Sequence, residues 1–140
     1  MSESRRMTRR ILVALPLLLG SCGKPPELPP DLFPQTAAGV WRRGEMRDLP
    51  VSESPDPVPR NEIDRLRQAD YEGPGKLQVR VYLLRSDAVS LELTQRWRPS
   101  ADTVFFNVRR YFVVVKWDTA ERKALQAFVR ELQGKLSRTH

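Results

Sequence analysis

The side chains that could carry nucleophilic or metal chemistry are scarce in this chain of 140 residues. It has one cysteine, Cys22, and one histidine, His140, which is the last residue. A single Cys cannot form an internal disulfide, and one Cys with one His cannot supply the four ligands of a structural zinc site. A serine or cysteine triad needs an internal histidine that the fold can bring to the nucleophile. These counts exclude disulfide scaffolds, structural zinc sites and triad hydrolases, and we expect no catalytic residue, no metal and no dissociable cofactor.

Carboxylates are the remaining candidates for acid–base chemistry, but their spacing does not pair them. Two carboxylates divide the acid and base roles only when the fold holds them in one pocket. No spacing places two of the candidates together, and these are Asp64, Asp70, Glu92, Asp102 and Glu121. The segment Gly73-Pro74-Gly75 lacks the Lys and the Ser or Thr of a phosphate-binding loop, so it predicts a turn. We therefore predict that the protein is not an enzyme. The alternative is a hydrolase, which would require a pocket in which Asp or Glu side chains converge.

The amino terminus has the parts of an export signal. Four arginines precede an apolar run at residues 11–19, which Pro16 interrupts, and they are Arg5, Arg6, Arg9 and Arg10. As a helix the run would be about 14 Å long, about half of a bilayer core, which suits a signal peptide and not a stable span. No other stretch of the sequence approaches the length of a span. Neither arginine pair has the rest of a twin-arginine motif, so we expect general export.

The next segment, Leu19-Gly20-Ser21-Cys22, resembles a bacterial lipobox, in which an aliphatic residue and two small residues precede a cysteine. The resemblance implies a bacterial lipoprotein, with cleavage between Ser21 and Cys22 and a diacylglyceryl group on the Cys22 sulfur. Asp after the cysteine usually retains a lipoprotein in the inner membrane. Because Gly23 stands there, the resemblance implies the outer membrane, facing the periplasm, if the host is Gram-negative. The other interpretation is an ordinary secreted protein that is cleaved near Gly20.

Removal of residues 1–21 changes the charge and leaves a proline-rich start. Four Arg and Glu3 leave with the signal peptide, so the formal net charge falls from +7 to +4. That excess is a poor argument for nucleic acid as a partner. Residues 23–30 contain four prolines and predict an extended tether of about 25 Å. We assign residues 1–21 to the signal peptide, 22–31 to the lipidated cysteine and tether, and 32–140 to one small domain.

The sequence of residues 32–140 predicts an α+β fold in the order β-α-β-β-β-α. This fold is an antiparallel sheet of about four strands with both helices on one face. Strands are expected at residues 38–47, 77–83 and 89–97, and the last two should pair as a hairpin because apolar residues alternate in both. A short helix is expected at residues 62–71, capped by Asn61. Residues 111–117 predict a central strand covered on both faces. Residues 104–108 either extend it through a bulge at Arg109-Arg110 or form a separate segment.

The clearest helix is at the carboxyl end of the sequence. Apolar residues recur there at helical spacing, at Leu125, Phe128, Val129, Leu132 and Leu136. Asp118 is the expected N-cap, with Glu121 as its capping-box partner. We expect the helix to lay this apolar stripe across the sheet.

Arginine supplies 19 of the 24 basic residues. Five fall on or near the predicted hairpin and the central strand, and they are Arg80, Arg96, Arg98, Arg109 and Arg110. Together with Trp97, Tyr82 and Tyr111 they would form a surface for an anionic ligand, such as an envelope polymer or a lipid headgroup. The simpler interpretation is a solvated sheet face that keeps the protein soluble.

The segment from Leu32-Phe33-Pro34 through Val40-Trp41 to residues 111–115 resembles domains of exported bacterial proteins. Those domains open with Leu-x-Pro and Gly-Trp segments and close with an aromatic-valine strand and a helix, whereas here Val40 separates Gly39 from Trp41. They have no assigned activity, so the resemblance implies no site residues. We predict a non-catalytic, membrane-anchored envelope lipoprotein that contacts a partner protein. The alternative is a module that binds an anionic envelope ligand through the arginine surface.

Overall fold

The computed structural model describes residues 26–98 and 100–139. In these residues six strands form one antiparallel sheet, and two α-helices pack on it. The strands are β1 (Thr36–Ala37), β2 (Trp41–Asp48), β3 (Ile63–Gly73), β4 (Gly75–Leu84), β5 (Thr103–Val108) and β6 (Tyr111–Asp118). The helices are α1 (Asp87–Arg96) and α2 (Arg122–Ser137). The order across the sheet is β1-β2-β3-β4-β6-β5.

The predicted α+β class is confirmed, but the described part of the sheet has six strands where about four were expected. The largest correction is β3, because residues 62–71 were predicted to be a helix. A tight turn at Pro74 pairs β3 with β4 over ten residue pairs, from Gly73 opposite Gly75 to Ile63 opposite Leu84. Side chains of β3 are buried on both faces of the sheet, as Leu66 and Tyr71 show. This long pairing outweighs the local helical preference of the segment.

The second correction is α1, because residues 89–97 were predicted to be a strand that pairs with residues 77–83. The strand at residues 77–83 is confirmed within β4, but β4 pairs with β3 and β6. The Ser86 side chain accepts a hydrogen bond from the Val89 N–H at 3.2 Å and caps α1. Val89, Leu93 and Trp97, four residues apart, pack toward the sheet, whereas Leu91 is 50% exposed. The buried residues of this segment therefore follow the helical period of 3.6 residues and not the strand period of two.

The two helices cover opposite faces of the sheet, so the prediction that both lie on one face is wrong. On the α2 face, Val79 and Val113 lie under the apolar stripe of α2. On the α1 face, Phe112 and Val114 lie in the second apolar cluster with Leu93 of α1. The strands β3, β4 and β6 therefore carry buried apolar side chains on both faces over part of their length.

Residues 104–108 form a strand of their own, which settles the alternative that the sequence left open. They lie in β5, which pairs with β6 through a two-residue turn at Arg109 and Arg110. The prediction for residues 111–117 is confirmed, since β6 lies between β4 and β5 and contributes side chains to both apolar clusters.

The predicted carboxyl-terminal helix is confirmed as α2, and its apolar stripe packs across the sheet. Its N-terminus begins later than the sequence suggested. The Glu121 carboxylate accepts hydrogen bonds from the N–H groups of Lys123 and Ala124, both at 3.1 Å, so Glu121 is the N-cap. Asp118 instead is the last residue of β6.

Among the described residues, the first buried one is Leu28, inside the segment 22–31 that was predicted to be a tether. Leu28 is 6% exposed and belongs to the same apolar cluster as Leu32 and Phe33. The side chain of Arg67 donates a hydrogen bond to the Pro29 carbonyl at 2.7 Å and fixes this entry segment to β3.

Candidate functional site

Three of the five arginines predicted to bind an anionic ligand are engaged by the protein itself. Arg80 is buried and donates to both carboxylate oxygens of Asp56, at 2.7 and 3.0 Å. Arg110 donates to Asp64 at 2.6 Å. Arg109 donates to two main-chain carbonyls at the end of α2, at 3.1 and 3.2 Å. These arginines do not form one surface, because each meets a different partner.

The other two arginines, Arg96 and Arg98, flank Trp97 at the end of α1, and both are exposed. Arg96 lies 3.7 Å from the carboxylate of Glu92. The three residues line a cleft of about 520 Å³ together with Asp56, Pro57, Leu93, Ser100 and Thr103. We call this the Trp97 cleft. It therefore holds two of the five predicted arginines and one of the three aromatic residues expected beside them, since Tyr82 and Tyr111 are buried.

The Trp97 cleft borders β5, the last strand of the sheet. The Trp97 ring packs on Phe105 of β5, with 5.9 Å between the ring centroids. At the start of β5 the Trp117 N–H donates to the Asp102 carbonyl at 2.9 Å. Hydrogen-bonded pairs alternate along an antiparallel ladder, so Val104, Phe106 and Val108 point their backbone groups at β6. The N–H and C=O groups of Phe105 and Asn107 consequently face outward.

The outer edge of β5 has the properties of an open pairing site. Within residues 26–98 and 100–139, no strand pairs with β5 on that side, although the N–H of its first residue, Thr103, donates to the Ser100 carbonyl at 3.3 Å. Residues 103–108 include no charged residue and no proline, the two devices that most often block an edge strand. Five of the six are partly exposed, and only Phe106 is buried. Another chain could therefore continue the ladder there.

A second cleft lies on the other side of β5, between that strand and α2. It encloses about 420 Å³ and combines apolar with basic side chains, among them Val104, Leu125, Val129 and Arg130. Side chains of an added strand would alternate between the two faces of the sheet. They would therefore enter the α2 cleft and the Trp97 cleft in turn, and this arrangement gives strand addition its side-chain specificity.

The opposite edge of the sheet, formed by β1 and β2, is less suited to pairing with an added strand than β5 is. β1 pairs with the start of β2, and the Arg43 N–H donates to the Gln35 carbonyl at 2.8 Å. The pairing of β2 with β3 is irregular between Arg43 and Met46, and β2 carries five charged residues. A bulge and charges of this kind discourage edge pairing. Of the two sheet edges described, β5 is the one suited to a partner.

Charged groups stand at the two ends of β5. Hydrogen bonds from Thr103 and then Ser100 hold the pKa of the exposed Asp102 carboxyl below its usual value. At the other end, Arg109 has a left-handed backbone, with φ of 53°, and its side chain is exposed. An added strand would therefore meet a negative charge at one end and a positive charge at the other.

The five candidate carboxylates have separate neighbours and do not converge. Asp64 pairs with Arg110, and Glu92 lies beside Arg96. Asp102 accepts hydrogen bonds from Ser100 and Thr103. Glu121 caps α2, and Asp70 lies opposite Gln78 in the β3–β4 ladder. In the described residues no group of three or more His, Cys, Asp or Glu side chains is arranged to hold a metal ion. The predicted lipidation and cleavage positions, Cys22 and Ser21, lie outside the described residues.

Sequence reasoning missed the β5 edge as a site. The available signal was the uncharged run at residues 103–108 between Asp102 and Arg109. It marks a strand, but an edge position depends on which strands pair, and the sequence left the pairing of residues 104–108 open.

The fold and this site define an α+β domain with an open strand edge between two side-chain clefts. No protein-family model, curated protein or solved structure shows a significant match to the chain. None of the helices in the described residues is long and apolar enough to cross a membrane.

Proposed function

We propose that this protein is a lipid-anchored, non-catalytic component of the bacterial cell envelope that binds an extended segment of a partner protein along β5. The observation that carries the binding proposal is the outward direction of the Phe105 and Asn107 backbone groups on an uncharged edge. Strand addition takes its affinity from such main-chain groups. The partner segment would be apolar where it enters the α2 cleft and acidic or aromatic where it enters the Trp97 cleft.

The anchor rests on the lipobox resemblance at Leu19-Gly20-Ser21-Cys22. In a Gram-negative host, Gly23 favours the outer membrane with the domain in the periplasm. Mass spectrometry of the mature amino-terminal peptide tests this proposal. We expect the peptide to begin at Cys22 and to carry diacylglyceryl and acyl groups, and we expect Cys22→Ala to abolish both the processing and the lipid. An unmodified peptide that begins at another residue would contradict the anchor.

Site-specific photocrosslinking in intact cells tests the binding edge. A photoreactive residue at position 107 should give one discrete adduct, because Asn107 lies on the open edge. The same group at position 95, an exposed residue of α1, is the matched control and should not give that adduct. A second change, Phe105→Pro, should remove the adduct, whereas Phe105→Ala should keep it, because both lose the ring that packs on Trp97 but only proline deletes the outward N–H.

Two results would contradict strand addition. The first is an adduct at position 107 that Phe105→Pro leaves unchanged while the domain stays folded by circular dichroism. The second is an equal adduct from position 95. Sequencing the crosslinked peptide of the partner then shows whether it has the alternating pattern that the two clefts require.

A second candidate function is binding of an anionic envelope ligand in the Trp97 cleft. The observation that favours it is the placement of two exposed guanidinium groups, Arg96 and Arg98, on either side of Trp97. Purified lipopolysaccharide is a suitable probe. We expect binding that falls with salt and is lost in the double variant Arg96→Ala/Arg98→Ala. Binding that is insensitive to salt, or its absence at low salt, would reject this function.

A further inference from the structure

The positive charge of the domain is concentrated on α2. Residues 26–139 contain nineteen Lys and Arg against sixteen Asp and Glu, a net charge of +3. Residues 122–138 alone contain five basic residues and one acidic residue, a net charge of +4. The rest of the described domain is therefore close to neutral. On the opposite face of the sheet, α1 contains Asp87, Glu92 and Arg96 and has a net charge of −1.

Three of the five cations at residues 122–138 lie along the side of α2 that faces away from the sheet. Lys123, Arg130 and Arg138 are exposed, and their spacings of seven and eight residues keep them on one side of the helix. They extend over about 22 Å of helix axis. The one acidic residue in this stretch, Glu131, accepts a hydrogen bond from the Ala38 N–H at 3.0 Å. Its carboxylate is thus directed at the turn between β1 and β2, and the three cations outnumber it on this side of α2.

The entry segment of the domain lies on the same face of the sheet as α2. Leu28 and Phe33 belong to the apolar cluster that contains Leu132 of α2. The ammonium group of Lys135 lies 3.4 Å from the carboxylate of Asp31 and ties the segment to the helix. The chain that comes from Cys22 therefore enters the domain on the α2 side.

Cys22 is close in sequence to this entry point. Five residues lie between Cys22 and Leu28, and the six Cα–Cα steps that join these two residues span about 20 Å in a fully extended chain. A lipid on Cys22 would therefore hold the α2 side close to the bilayer surface. Anionic phospholipids attract Lys and Arg that lie within about 8 Å of the surface at physiological salt, the Debye length there.

We infer that the outer side of α2, with Lys123, Arg130 and Arg138, binds the headgroups of an anionic bilayer and turns the α1 face and the Trp97 cleft away from the membrane. The inference rests on the proposed lipid anchor at Cys22. It adds a second membrane contact, electrostatic and reversible, to a covalent one. The acyl chains hold the protein at the membrane, and the headgroup contact fixes which side of the domain faces the bilayer.

Energy transfer to the bilayer surface tests this orientation. The full chain, produced with its own export signal in a bacterial host, is reconstituted in vesicles that contain a headgroup-labelled lipid. A donor dye is attached at Gln126→Cys on α2 or, as the matched control, at Gln95→Cys on α1, since both glutamines are exposed on helices. The vesicles are phosphatidylcholine alone or with about 30% phosphatidylglycerol. In the anionic vesicles we expect stronger transfer from position 126 than from position 95. High salt should reduce this difference between the two positions by about half or more.

Charge reversal separates headgroup binding from the effect of the tether alone. Lys123→Glu/Arg130→Glu should remove the preference of position 126 for anionic vesicles. Arg47→Glu/Lys76→Glu, which makes the same change in net charge at exposed positions on the α1 face, should leave it unchanged. The inference would be overturned if neither salt nor Lys123→Glu/Arg130→Glu changed the difference in transfer between positions 126 and 95. Equal transfer from the two positions would also overturn it.

The mass of the reconstituted protein distinguishes this failure from failure of the anchor. If the acyl groups are present on Cys22 and the α2 position shows no preference, the headgroup contact is wrong and the anchor stands. If the acyl groups are missing, the proposed anchor is wrong and the inference about α2 falls with it.

Discussion

Arg80 and Asp56 form a buried ion pair with two contacts, in which Nε lies 2.7 Å from Oδ2 and Nη2 lies 3.0 Å from Oδ1. The side chains are 8% and 10% exposed. Tyr82 donates its O–H to the same Asp56 carboxylate at 2.5 Å. Burial by itself lowers the pKa of Arg80, but the hydrogen bond and the charge of Asp56 outweigh it, and the pKa is raised. The pair fixes the proline-rich loop at residues 50–62 against the α1 face of β4.

Removal of one partner of this pair should strongly destabilise the domain. Asp56→Ala leaves the Arg80 charge buried without its partner, and we expect the free energy of unfolding to fall by about 3–5 kcal/mol. Asp48→Ala is the control, because Asp48 is 69% exposed in its pair with Arg67 and should cost about 1 kcal/mol or less. Urea denaturation measures both. The double variant Asp56→Leu/Arg80→Met should be more stable than Asp56→Ala, and the opposite order would contradict this account.

The tyrosines should make the domain sensitive to alkali. Burial is the main reason that the pKa values of Tyr71, Tyr82 and Tyr111 lie above the ordinary value of 10.0. Near Tyr82 the charge of Asp56 adds to the effect. The folded state thus retains these protons where the unfolded state loses them, so stability is fully present below about pH 10 and falls as the pH rises above it.

A pH series of urea denaturation curves checks the tyrosine prediction, with tyrosinate absorbance recorded on the same samples. Tyr71→Phe should reduce the slope of stability against pH above about pH 10, because one buried proton site is removed. The variant also loses the hydrogen bond from the Tyr71 hydroxyl to the Pro34 carbonyl, 2.7 Å long. Each protein is therefore compared with its own stability at neutral pH. Three tyrosines that ionise near pH 10 in a folded protein would refute the prediction.

The parts of the fold that the sequence predicted are those whose pattern has one interpretation. In α2 the apolar spacing of 3.6 residues extends over three turns, and in β6 the nearly continuous apolar run suits only a strand covered on both faces. Residues 89–97 satisfy two periods at once. Val89, Leu91 and Leu93 alternate as in a strand, and Val89, Leu93 and Trp97 lie on one side of a helix. The Ser86 cap was the local signal that separates the two.

β3 shows a different limit of sequence reasoning. Its segment has charged side chains in the pattern of a surface helix, and its identity depends on a partner strand that local residues do not specify. The candidate site has the same limit. Arg96, Trp97 and Arg98 could be named from the sequence, but their position beside an open β5 edge follows from strand order. Strand order is set by pairing over the whole domain, which a local pattern does not encode.

The start of α2 provides a direct comparison between the residue that sequence pattern favours and the one that the structure uses. Glu121 accepts hydrogen bonds from two N–H groups at the helix end, and Asp118 accepts none of them. We expect Glu121→Ala to lower the free energy of unfolding by about 1 kcal/mol. Asp118→Ala should change it by less than about 0.5 kcal/mol, because Asp118 is exposed at the end of β6. Thermal denaturation of the two variants checks this order. A larger loss in Asp118→Ala would mean that the helix starts where the sequence pattern placed its cap, because the loss of a helix cap is felt at the residue that provides it.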